Sequence, residues 1–268
     1  MTDLRISRPS LPGTEDRTTL PGRAPGGLPP IAWEAPPPAA TFEAVRIGFA
    51  MARARLLRRP MVITGFLGAA LVVVAGIIER RVGSAGAVDR ALAATFNLVV
   101  PLVAFALMTE ASGRDRLRDA MWPAARHGVA RRDVALGAIA ASATAAAALS
   151  ALYAVLTVAV AHGPGNPPIA TDALTSAWVA ALAAAAYTGW FAIGSTFGRR
   201  GRGRWAPLVL DFTVGASTGL VGALLPRANA ASLLGGAAPL GLPQGTSSLI
   251  LAASAVVLTG LAALRCRE

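Results

Sequence analysis

The chain contains no lysine; all 25 of its basic residues are arginine. A Walker-type phosphate loop needs a lysine on the β- and γ-phosphates, and Schiff-base catalysis needs a lysine amine. Neither chemistry is open to this sequence. Cysteine is almost as scarce: Cys266 stands alone, so no internal disulfide can form and nothing marks an oxidising compartment. Only two histidines occur, His127 and His162, and neither falls in a metal-ligand spacing, so no metal site is expected. Charge of any kind is thin. Charged residues are 15% of the total, far too few to clothe a soluble domain of 268 residues.

What the chain has instead is apolar length. Hydrophobic residues make up 54% of it, and its mean hydropathy is +0.55. Six apolar segments, at 61–78, 91–109, 134–161, 173–197, 206–225 and 246–264, each come near the roughly 20 residues that cross a hydrocarbon core. Backbone groups inside lipid must be bonded within their own segment, which favours helices over strands. The fold class read from this pattern is an all-α integral membrane protein with six transmembrane helices and an N-terminal interfacial amphipathic helix. The third segment is long enough to tilt. Pro101 is expected to kink the second.

Two regions precede the first span. Residues 1–40 are rich in Pro, Gly and Arg and show no apolar period, which reads as a disordered cytoplasmic arm. Residues 41–60 place Phe42, Val45, Phe49, Ala52, Leu56 and Leu57 at helical spacing, with Arg46, Arg53, Arg55, Arg58 and Arg59 over much of the remaining surface. Such a helix suits the membrane interface, its arginines among anionic headgroups.

A net charge of +11 invites a nucleic-acid reading, but the arginines sort by loop and form no single patch. With the N-terminus inside, the cytoplasmic pieces 41–60, 110–133, 198–205 and the tail hold five, six, four and two arginines. The outer loops hold only Arg80, Arg81, Arg90 and Arg227. The positive-inside rule therefore puts both termini in the cytoplasm and the protein in the plasma (inner) membrane. No nucleic-acid partner is expected.

Candidate functional residues are few. Gly194 with Gly198, and Gly215 with Gly219, form small-xxx-small pairs suited to close helix packing. Asp211 is a carboxylate inside the fifth segment, within reach of Arg202 or Arg204, and Asn97 is read as an interhelical hydrogen-bond partner. The stretch around Ser217 resembles the Gly-x-Ser helix of rhomboid intramembrane proteases, but no histidine follows to activate the serine. Loop 110–133 can form a short amphipathic helix with Leu117, Ala120, Met121 and Ala124 at helical spacing and an exposed Trp122, limited by Pro123 and Gly128. It reads as a docking surface or as an ordinary solvated loop.

The run Glu110, Gly113, Leu117, Arg126, Arg131, then Leu136-Gly137, resembles the segment leading into the third membrane helix of ABC-2 type transporter permeases. Leu242-Pro243-Gln244-Gly245 is similar to that family's Leu-Pro-x-Gly before the last span, and Arg265-Cys266-Arg267 to its basic end. Arg114 to Arg116 and Ala138 depart from the family pattern. The resemblance covers residues 41–268 as one transmembrane domain. It implies an elbow helix before the first span and an outer segment, 227–245, that dips back into the membrane.

By that resemblance the chain is a permease subunit, itself not an enzyme, with no cofactor of its own. ATP would be bound by a partner, an ATP-binding cassette ATPase docking on a coupling helix that includes Gly113, Leu117, Met121, Trp122 and Arg126. Two permease subunits, identical or different, would form an export pathway between them. The alternatives left open are a six-span protein without an ATPase, such as a channel or a subunit of a larger membrane complex, and an intramembrane protease.

Overall fold

A computed structural model of the chain describes residues 41–83 and 86–267; the arm expected over 1–40 lies outside them. Among the described residues every regular element is helical. The helices are α1 (Thr41–Leu56), α2 (Arg59–Val82), α3 (Ala87–Ala94), α4 (Val100–Ala111), α5 (Leu117–Ala120), α6 (Trp122–Ala125), α7 (Arg131–Ala161), α8 (Ile169–Ser195), α9 (Trp205–Val214), α10 (Leu220–Leu224), α11 (Pro226–Leu233) and α12 (Gln244–Leu264). Five stretches are long and apolar enough to cross a membrane: Met61–Val82, Ala87–Ala111, Arg131–Ala161, Ile169–Ser195 and Gln244–Leu264. The chain is a helical membrane protein by that measure.

The central element is α7, which packs against α1, α2, α4 and α8. Its 31 residues span about 46 Å at 1.5 Å per residue, longer than a bilayer core. The contact with α1 is set by two glycines. A Cβ on Gly48 would collide with the Val134 carbonyl, and one on Gly137 with the Val45 carbonyl. Backbones can come this close only where side chains vanish.

That contact corrects the face expected for α1. The buried stripe is Ala44, Gly48, Ala52 and Leu56, spaced by four. Phe42 and Leu57, expected in the apolar face, are 81% and 66% exposed. Small residues win because α1 lies directly on a neighbouring helix, where bulk would hold it off. Leu57 and Arg58 separate α1 from α2, with Arg58 extended at ψ 172°.

The second span is irregular where a kink was expected. A π-helical turn, Thr95–Val99, joins α3 to α4 just ahead of Pro101, and the Val100 N–H reaches back five residues to Thr95 O. Pro101 cannot donate to Asn97 O four residues earlier, so the ladder has a gap there.

The fifth apolar segment, 206–225, is not one helix. Helix α9 stops at Val214, and the chain runs through Gly215, Ala216, Ser217, Thr218 and Gly219 before α10 begins. Two glycines and two hydroxyl residues in five positions are poor helix formers, and a hydropathy window does not register them as a break. The freed Thr218 carbonyl accepts from the Leu240 N–H at 2.8 Å. Helix α11 then packs on α8 and α12.

Candidate functional site

Four segments that the arginine distribution grouped together meet at one end of the bundle. Arg55, in the last turn of α1, donates to Ala111 O at the end of α4, at 2.8 Å. Arg116 donates to the Gly198 carbonyl beyond α8. Arg265, after α12, lies over the Phe197 ring with its Cζ 4.3 Å from the centroid.

Arg204 ties this end together. It is 3% exposed, and its guanidinium donates to Gly201 O at 2.8 Å, Ser112 Oγ at 2.9 Å and Asp115 O at 2.8 Å. Burial lowers its pKa from the ordinary arginine value, and the nearby Asp115 and Glu110 charges partly restore it. The loops it joins are held in left-handed conformations, with φ of +66° at Arg114 and +52° at Arg200. Gly201, at φ +63°, has no room for a Cβ beside Asp115 O. Arg55, Arg116 and Arg204, from three separate places in the chain, thus hold segment 111–116 and its approach to α5.

The docking residues expected in this loop divide sharply. Leu117 and Met121 are fully buried and anchor α5 to the core. Trp122 is 50% exposed, and exposed Arg126 sits over its ring with Cζ 5.8 Å from the centroid. Gly113 takes the turn at φ +62°, and Glu110 pairs with Arg114 at 3.2 Å. Gly113 is exposed but has no side chain, so of the expected side chains only those of Trp122 and Arg126 are presented outward. Cys266 is buried against this end; its thiol donates to Ala262 O at 3.3 Å, and burial pushes its pKa up to about 11.

A second polar cluster lies in the bundle. Asp211, 2% exposed on α9, accepts from the Tyr187 hydroxyl of α8 at 3.0 and 3.1 Å and pairs with Arg227 of α11 at 3.2 Å. This corrects the pairing with Arg202 or Arg204: Arg204 faces Ser112 instead, and Arg202 is exposed. Arg227 also donates to Asn97 O at 2.6 Å, filling the place of the N–H that Pro101 lacks. Asn97 therefore does bridge elements, through its carbonyl; its side chain is exposed. Compared with known family models, characterised proteins and solved structures, the chain matches none.

The remaining expected residues have simpler places. Gly194 is approached by the Arg204 Cα and the Pro207 ring, which a Cβ would meet at 2.8 and 3.0 Å. Gly198 turns the chain beyond α8, while Gly215 and Gly219 flank the break after α9 instead of sharing a helix face. Ser217 Oγ is buried with no hydrogen-bond partner among the described residues. Sequence reasoning missed Tyr187 and Arg227 and gave Arg204 a different partner. Pro101, which leaves the carbonyl four residues earlier wanting a donor, was the one available hint.

Proposed function

We propose that the chain is the transmembrane permease subunit of an ABC-2 type transporter, an exporter driven by ATP hydrolysis on a partner ATPase. One observation carries the reading: three arginines from separate elements rigidify segment 111–116 and leave Trp122 and Arg126 exposed at the basic end of the bundle. A surface that transmits force must be stiff beneath and exposed on top, and this one is both. The lack of lysine assigns nucleotide hydrolysis to another chain.

In this reading the basic end faces the cytoplasm of the inner membrane, by the positive-inside rule. The passage from α9 through α10 is the broken fifth of six spans, and 227–245, which takes in nearly all of α11, is the outer segment dipping back into the bilayer. Helix α1 lies at the inner interface, its exposed Arg46 and Arg53, and Arg58 just beyond it, toward headgroups. Two such subunits enclose the pathway. Closure of the ATPases pushes Trp122 and Arg126, and the buried Arg204 contacts carry the displacement to α4 and α9.

Affinity purification of the intact chain from its native membrane, followed by mass spectrometry, tests the reading. An ATP-binding cassette ATPase is expected in stoichiometric amount. Recovery of a respiratory or secretion complex without any ATPase would replace this reading with that of a six-span structural subunit.

A further inference from the structure

At the end of the bundle opposite the arginines, a cavity of about 420 Å³ lies between α3, the π turn, the start of α8 and the end of α11. Two carboxylates line it, Asp89 from α3 and Asp172 from α8. Neither has an ion-pair partner among the described residues, in a chain with 25 arginines. The nearby arginines are engaged elsewhere. Arg90 pairs with Glu79 at 2.6 Å, and Arg227 is held by Asp211 and Asn97 O. His162 is close enough to act on Asp172 but forms no ion pair with it.

A second feature points into the same space. Ser176, one helical turn beyond Asp172, is 2% exposed and lines the cavity, and its hydroxyl has no hydrogen-bond partner among the described residues. On the cavity wall that hydroxyl is free to accept a hydrogen bond from a ligand donor. Apolar side chains, Phe96 and Leu234 among them, complete the wall. Among the described residues no three Asp, Glu, His or Cys side chains come together as a metal site, so the two carboxylates and the hydroxyl do not make one. They suit an ammonium or guanidinium group, which donates two or three hydrogen bonds while its apolar body rests on the wall.

We infer that this cavity binds an organic cation, an amine- or guanidinium-bearing molecule with an apolar body, as the substrate or product of the proposed permease. The inference rests on that reading for its role in transport. Binding itself requires no ATPase, so the two fail separately.

The test uses the full chain in lipid nanodiscs, with empty nanodiscs as blank. Dansylcadaverine, a fluorescent primary amine, is compared with its N-acetyl derivative, which keeps the dye and loses the charge. The amine should bind saturably, and the acetylated form about tenfold or more weakly. Asp89→Asn with Asp172→Asn should weaken the amine to the level of the acetylated probe. Ser176→Ala, which removes one acceptor and no charge, should weaken it about threefold. Thermal melting of each variant checks that the fold is kept. Equal binding of the two probes, no saturable binding by the wild type, or unchanged affinity in a folded double variant would overturn the inference.

Discussion

Two regions of this bundle are built in opposite ways. Helices α7 and α8 are continuous over 31 and 27 residues, pack on each other, and bury alanines such as Ala138, Ala154, Ala183 and Ala184. From α9 to α11 the chain runs in three short helical pieces. The continuous pair satisfies its own backbone and needs only close contact, which small residues supply. The broken passage exposes peptide groups and must recruit partners from other elements: Leu240 for Thr218 O, and Tyr187 and Arg227 for Asp211. Regular backbone makes a helix insensitive to what surrounds it, whereas an interrupted stretch is only as stable as its borrowed hydrogen bonds.

The contrast can be broken from either side. The largest effect is expected from Asp211→Ala, which leaves the Arg227 guanidinium without its ion pair and should cost about 3–5 kcal/mol in detergent unfolding. Asp211→Leu combined with Arg227→Met should recover much of that loss, and a double variant no better than the single would mean the pair is not what holds α9 to α11. On the continuous side Gly137→Val is expected to cost about 1–3 kcal/mol by overpacking against the Val45 carbonyl. There stability is lost by adding volume, where in the broken passage it is lost by removing charge. A neutral Gly137→Val would sink the account of the α1 contact.

Smaller effects sharpen the picture at the basic end. Arg204→Ala removes three buried hydrogen bonds and should cost about 2 kcal/mol, against less than about 0.5 kcal/mol for exposed Arg202→Ala. Trp122→Ala with Arg126→Ala should leave melting within about 1 °C of wild type, because neither side chain is buried. The same variant should lose ATPase-coupled transport, and full coupling in it would remove the docking surface from the proposal. The smallest signal comes from Cys266. With the thiol pushed up to about 11, maleimide should label it negligibly near neutral pH and faster as pH rises or the fold opens. Rapid labelling of the folded chain at neutral pH would contradict its burial.

Much of this was legible in residues alone. The five long helices follow from apolar runs whose length and composition admit no other spanning structure. The meeting of Arg55, Arg116, Arg204 and Arg265 at one end follows from where those runs begin and stop. The interruption at 215–219 was written in Gly215, Ser217, Thr218 and Gly219, but averaging over a window hid it. The burial of Leu117 and Met121 was open to view only as helical spacing, which cannot say whether an apolar stripe faces inward or toward a partner.

What the sequence determined by itself was local: helix length, the grouping of basic loops, and the absence of a lysine for nucleotide chemistry. The tertiary structure decided which carboxylate meets which arginine, and which face of α1 is covered. Asp211 and Arg227 are 16 residues apart, while Arg227 and Asn97 are 130 apart. Apolar periodicity is summed along neighbouring residues and carries no information across such gaps. A buried charge takes whichever partner packing brings within reach.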